Sequence, residues 1–360
     1  MKLPCITLLA TLLLTVPAAA QLQIAPPATV PSATPEKQKA KPHAPARKKE
    51  AAPAPKPSAS PKPAPSSKPT PTPTVIPAPP TDNSNADLVY GAYQRGQYKT
   101  AFDLATARAQ AGDPKAMTML GELYSNAMGI RRDYAKAAEW YKRAADAGDR
   151  EAMFALAMLR ISGRGGSLDK NEAVKLMASA AKLGEPKAAY NLALLYLDGQ
   201  TLPQDVRRSA ELLRQAADAG LPEAQYALAT FYKEGTGVPK DPERAVRLLQ
   251  AASLADNVDA EVEYAIAMFN GTGTPKNQPA AVALLRKASR QGSAIAQNRL
   301  AWVLINGVGT PMDKVEGFKW HLVAKTAGKG DPELDKQLSD LPAEDRAKAE
   351  AAAKKWLGTK

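Results

Sequence analysis

Apolar positions recur along this chain with a period of 36 residues from Ala111 to Thr326. One column of the repeat reads Leu120, Leu156, Leu192, Leu228, Tyr264 and Leu300, and the residue after each is Gly121, Ala157, Ala193, Ala229, Ala265 or Ala301. Four residues ahead of the first column stands alanine in every copy: Ala116, Ala152, Ala188, Ala224, Ala260 and Ala296. A second pair of columns holds Trp140, Leu176, Leu212, Leu248, Leu284 and Trp320, then Ala144, Ala180, Ala216, Ala252, Ala288 and Ala324. Within a unit these positions lie three and four residues apart, which is the spacing of one helix face and not of a strand. Residues Ala224, Leu228, Ala229 and Tyr232 predict one helix of the fourth unit, and Ala245, Leu248, Leu249 and Ala252 predict a second. Small side chains let helix backbones approach and large ones fill the space between. A single unit cannot bury both helices alone, so the pattern predicts a stacked array whose stability is shared between neighbours.

The polar and special residues punctuate the same period. A Gly-centred corner opens the units at Gly112, Gly148, Gly184, Gly220 and Gly292, with Asp256 in its place in the fifth. Pro114, Pro186 and Pro222 fall where a first helical turn needs no amide donor. Gly235-Thr236-Gly237 ends the first helix of its unit, and Asp241 then caps the second with Pro242 behind it. Asp169 and Glu172 have the spacing of a reciprocal capping box. Departures are confined to single positions: Ala127 replaces the first loop glycine in unit one, Arg160 and Gly165-Gly166 are irregular in unit two, and Asn277 replaces the loop aspartate in unit five. A shorter helix pair over 83–110 and two closing helices over 327–360, with Trp356 as apolar anchor, predict atypical caps on the six units of 111–326.

The run Ala224-Gln225-Tyr226-Ala227-Leu228-Ala229-Thr230-Phe231-Tyr232, followed by Gly235-Thr236-Gly237-Val238-Pro239-Lys240-Asp241 and Ala245 through Ala252, resembles the Sel1-like repeat family, relatives of the tetratricopeptide proteins. The resemblance implies an all-α, right-handed α-solenoid of helix-turn-helix repeats. It also implies a non-enzymatic interaction scaffold or adaptor, since exported members serve envelope assembly, polysaccharide export or signalling. Some cysteine-rich relatives suggest the alternative of a hydrolase acting on cell-wall or β-lactam substrates. Those relatives staple each repeat with a disulfide.

Charge and the N-terminus bear on where such a scaffold works. Lys2, the apolar run Ile6 to Val16 and Ala18-Ala19-Ala20 predict a cleaved secretory signal over 1–20, with Gln21 first in the mature chain. The expected location is the periplasm of a Gram-negative bacterium, or secreted. Cleavage would remove Cys5, the single cysteine, leaving packing alone to stabilise the fold. Residues 21–82 form a Pro/Ala/Lys-rich linker with too few apolar side chains to offset ordering entropy, so disorder is expected. Nine Lys/Arg against two Glu over 21–80 make this segment either a solvated spacer or a basic arm with weak contact to an anionic membrane or cell-wall surface. Residues 81–360 hold 38 basic and 34 acidic residues, a balance that argues against nucleic acid as a partner.

Catalytic chemistry finds little to work with. His43 lies in the linker and His321 follows Trp320, at a position otherwise filled by Tyr141, Met177 and leucines, which reads as packing or rim. One folded histidine makes no Ser-His-Asp set, and no Cys/His spacing suits a metal. The Gly-x-Gly loops follow no strand and precede capped helices, which is not a phosphate cradle. No catalytic residue, cofactor or metal is expected. What remains is the inner, concave face, expected to be lined by the first helices: Thr118, Phe154, Tyr190, Tyr226, Val262 and Asn298, with Glu122, Met158, Leu194, Thr230, Ile266 and Trp302 one turn on. The candidate binding residues are Phe154, Tyr190, Leu194, Tyr226, Thr230 and Trp302. Such aromatics either grip a protein partner or a sugar chain, or pack between helices.

Overall fold

The computed structural model describes residues 84–358. The expected signal peptide over 1–20 and linker over 21–82 lie outside these residues. Among the described residues there are sixteen helices and no strand, an all-α solenoid. The first helices of the six units are α3 (Pro114–Asn126), α5 (Arg150–Ser162), α7 (Pro186–Asp198), α9 (Pro222–Glu234), α11 (Val258–Asn270) and α13 (Ala294–Asn306). The second helices are α4 (Tyr134–Asp146), α6 (Lys170–Lys182), α8 (Val206–Asp218), α10 (Pro242–Leu254), α12 (Gln278–Arg290) and α14 (Lys314–Thr326). Every one of these twelve is 13 residues long. Each packs on the helix before it and the helix after it, so the contacts run in one line along the chain.

The constancy of length has a local cause at each end. Asp133, Asp169, Asp205, Asp241, Asn277 and Asp313 each accept the backbone N–H three residues on, at 2.8–3.1 Å, which fixes where the second helix starts. The reciprocal half of the expected capping box is absent: Glu172 turns away from Asp169 to an ion pair with Arg160 at 2.6 Å. Arg160 stands where units one, three and four carry Tyr124, Tyr196 and Tyr232, so the irregular residue has recruited the carboxylate. The first helices end on a left-handed residue, Gly235 for example, and in unit one Ala127 takes that conformation with φ of 58°. The second loop glycine does a different job. A Cβ on Gly237 would sit 2.6 Å from the carbonyl oxygen of Val206 at the start of the preceding second helix. These loops are therefore packed against the neighbouring unit.

The alanine columns form the dry seams of the array. Ala188, Ala224 and Ala260 have no exposed surface, and neither have Ala180, Ala216 and Ala252. The large side chains sit one residue off the expected register in the second helices. Of the column headed by Trp140, only Leu212 and Trp320 are buried, whereas the next residue along, Tyr141, Met177, Leu213, Leu249, Leu285 or His321, is buried in every unit. The helix twist turns the latter column into the seam and leaves the former at its margin. Tyr264 is likewise half-buried where the other units bury leucine, because its polar hydroxyl favours the rim.

Two caps close the array. α1 (Ser84–Gln94) and α2 (Tyr98–Gln110) precede it, with Tyr93 and Tyr98 edge to face at 5.7 Å. α15 (Pro332–Ser339) and α16 (Ala343–Gly358) follow it. α16 lies along α14 and makes the larger contact, with Trp356 edge to face on Trp320 at 5.1 Å. The short α15 is tied down by buried Leu334 and by Asp335, which lies 2.8 Å from both His321 and Lys325.

Candidate functional site

The six candidate residues all lie on first helices, and all are half-buried. Phe154, Tyr190 and Tyr226 pack their inner edges against the main hydrophobic core, and Trp302 packs against the core of the C-terminal units. Leu194 is half-buried one turn along from Tyr190. Thr230 is partly spent on its own helix, since its hydroxyl donates to the Tyr226 carbonyl at 3.2 Å. Val262, which continues the aromatic column into unit five, is buried and offers no face to a ligand. The three aromatic rings do not stack on one another; the ring–ring contacts among the described residues are those of the caps and of Phe102 with Tyr124. Each ring is held separately, one per unit, by its own helix.

Two neighbouring pairs of first helices, α3 with α5 and α9 with α11, are joined by charge. Lys115 on α3 reaches Asp149 at 2.9 Å and Glu151 on α5 at 3.3 Å. Lys233 on α9 pairs with Glu263 on α11 at 3.0 Å. The tyrosines face the carboxylates of the next unit. Burial, with Glu223 adding to it, raises the Tyr190 hydroxyl above its ordinary value. Burial acts the same way on Tyr226, reinforced by Glu263, Asp259 and Glu234. Both phenols thus remain protonated donors across the neutral range.

At the N-terminal end the same surface deepens into a groove of about 440 Å³. Thr118 and Glu122 of α3, Phe154 of α5 and the Glu185–Lys187 turn line it. A second hollow of about 250 Å³ shares Thr118, Glu122 and Glu151 with it and extends to Val89 and Tyr90 of the cap. Tyr93 donates to Glu122 at 3.1 Å and is pushed up to about 12, mainly by burial and then by that carboxylate. The cap residues were not among the sequence candidates. Their helices depart from the 36-residue period, so no column pointed to them.

His321 is not at the rim. It has no exposed surface, its Nε2 lies 2.8 Å from Asp335 and its Nδ1 is enclosed without a partner. A ring closed off in this way offers no face to a substrate and works as a tie between α14 and α15. Among the described residues no three His, Cys, Asp or Glu side chains gather as a metal site.

The regular helix pairs correspond to a known unit. The Sel1 repeat family model matches residues 114–149, 150–185, 186–221, 222–257, 258–293 and 294–329. This chain belongs to the Sel1 repeat family. Its family units begin at the first helix, two residues beyond the corner position, as Pro114 follows Gly112. Among solved structures it is similar to c5321, a protective antigen of uropathogenic Escherichia coli with an SLR fold, at 26% identity and a TM-score of 0.65 over 76% of this chain. The alignment spans only 60% of that antigen's length. It is also similar to a Sel1 repeat protein from Oxalobacter formigenes, at 25% identity and a TM-score of 0.57, covering 67% of this chain and 96% of that one. No curated protein matches the chain. Sel1 repeat proteins generally act as protein–protein interaction scaffolds, and their fold is typical of non-enzymatic binding proteins.

Proposed function

We propose that this Sel1 repeat protein is an exported adaptor, periplasmic or secreted, that holds a protein partner on the concave face formed by its first helices. The observation that supports this most directly is the row Phe154, Tyr190 and Tyr226. Each ring is anchored in the core on one edge and open on the other, in three consecutive units. Half-exposed aromatics on a rigid frame lose little entropy on binding and serve as anchors. The adjoining Glu122, Glu151 and Glu223 favour a partner segment that carries basic side chains beside apolar ones. Lys2, the apolar run and Ala18-Ala19-Ala20 support export. The linker, with its nine cations, adds a weak, salt-sensitive contact with an anionic membrane or cell-wall surface.

The test begins with a partner captured from envelope extract by the full chain. The pair Tyr190→Ala with Tyr226→Ala is expected to weaken binding about 30-fold or more, at roughly 2 kcal/mol or more for a good anchor. His321→Ala, in the last unit, is expected to lower stability and leave affinity unchanged. A double variant that keeps its helical circular dichroism and binds like the parent would refute the groove.

A further inference from the structure

The two helix layers differ sharply in charge. The six first helices α3 to α13 carry six Lys/Arg and eight Asp/Glu. The six second helices α4 to α14 carry 17 Lys/Arg and seven Asp/Glu, a net of 17 − 7 = +10. All of these cations are solvent-exposed except Arg286, Lys287 and Lys319, which are half-buried. The near-balance of residues 81–360 in sequence therefore hides a segregation. The charged positions lie off the buried seam columns. Three of the 17 cations reach a first helix, Arg214 and Arg244 donating to the Tyr232 hydroxyl at 3.4 Å and Lys287 pairing with Glu261.

We infer that the second-helix layer is a docking surface for an anionic lipid surface, bound peripherally and by charge. The cations are distributed in area, two or three on every one of six successive helices, and do not follow a single stripe. With helices of about 20 Å stacked at 8–10 Å or more, the face measures on the order of 20 by 50 Å. Acidic residues stand among the cations: Glu139, Asp146, Glu211, Asp218 and Glu243 are exposed on the same helices. A polyanion lying in contact with this face would meet those carboxylates directly. A charged lipid surface acts through a potential extending about one Debye length, roughly 8 Å, and responds to the sum. Nucleic acid is disfavoured on a second count, because α6, α8, α10 and α12 carry no aromatic ring on which a base would stack. No helix among the described residues is long and apolar enough to cross a membrane, so the contact proposed is with headgroups. It uses a different face from the aromatic row and does not depend on it.

The test is co-sedimentation of the full chain with vesicles of phosphatidylcholine alone or with about one-third phosphatidylglycerol. The variant reverses four exposed cations on four successive second helices: Lys175→Glu, Arg207→Glu, Arg247→Glu and Arg290→Glu. The ion pairs of this layer run through other cations, among them Lys136, Lys142, Arg208 and Arg244. Binding is expected to the mixed vesicles only, and the variant is expected to bind about 100-fold more weakly or worse with its circular dichroism unchanged. Should the reversed chain not fold, the four glutamine substitutions give the same reading with a smaller loss. A full chain whose nine linker cations over 21–80 are changed to glutamine is expected to retain binding. The inference is overturned by a reversed variant that binds like the parent, by loss of binding in the linker variant alone, or by soluble polyphosphate that binds more tightly than vesicles at equal phosphate.

Discussion

At the residue scale, the informative positions are those where one unit breaks the pattern that five others keep. Ala127 adopts φ of 58°, where Gly163, Gly199, Gly235, Gly271 and Gly307 adopt the same left-handed state. An L side chain there costs about 1–2 kcal/mol, against roughly 0.5–1 kcal/mol for the extra freedom glycine loses on folding. Ala127→Gly is therefore expected to stabilise the protein by about 0.5–1 kcal/mol. The check is the urea midpoint, and a midpoint that falls would mean the alanine methyl makes a contact worth more than the strain. Asp256, at φ of 59°, is the parallel case at a corner, but it is held by Lys287 at 2.7 Å, so glycine there would remove an ion pair as well.

At the element scale, the seam between α3 and α4 differs in size from the others and compensates within itself. Gly121 stands in a column that is otherwise alanine, and the ring opposite is Tyr141 in a column of Met, Leu and His. A Cβ on Gly121 would lie 2.5 Å from that ring. Tyr141 also places its hydroxyl 3.3 Å from Ser125, which fixes the ring. Gly121→Ala alone is expected to cost roughly 1–3 kcal/mol by overpacking. Combined with Tyr141→Leu, which restores the composition of unit three, the cost is expected to shrink, giving a coupling of about 1 kcal/mol in a double-mutant cycle. Additive effects would show that the two helices move apart instead of meeting. Most element boundaries were legible in sequence because they are set by local chemistry, an Asx cap before every second helix and a left-handed glycine after the first helix in five units of six. The partner of Glu172 was not, because Arg160 reaches it across 12 residues and only the folded unit brings them together.

At the scale of the whole molecule, burial raises phenols in the N-terminal cap and in units one, three and four, and this sets a pH limit. Burial raises Tyr141 and Tyr226, and raises Tyr93 to about 12, above the ordinary tyrosine value of 10.0. A raised value means that the folded state favours the neutral phenol. That stabilisation is complete below pH 10 and is lost as pH climbs towards 12 and beyond. Urea midpoints measured from pH 9 to 12 are expected to fall steeply over the upper part of this range, and Tyr226→Phe is expected to reduce the fall. An identical slope in that variant would place the alkaline sensitivity elsewhere. Because each unit touches only its neighbours, the loss is expected to begin at the unit whose phenol ionises and spread from there.

The chain's periodicity by itself determined the number of units, the two helices in each, their caps and the alanine seams. These follow from residues a few positions apart, where helix geometry and capping chemistry act without reference to the rest of the fold. The aromatic candidates were legible for the same reason, as one register position repeated in successive units. Tertiary structure decided what depends on rotation and on distant neighbours. The helix twist moved the deepest large side chains one residue along, to the column that includes Tyr141 and His321, and α15 closed over that histidine. The caps brought Tyr93 against Glu122, 29 residues away. Above all, folding sorted the charges. In sequence the cations and carboxylates are nearly in balance, and only the folded array sets 17 of the cations on the six second helices against seven carboxylates, while five further aspartates cap those helices.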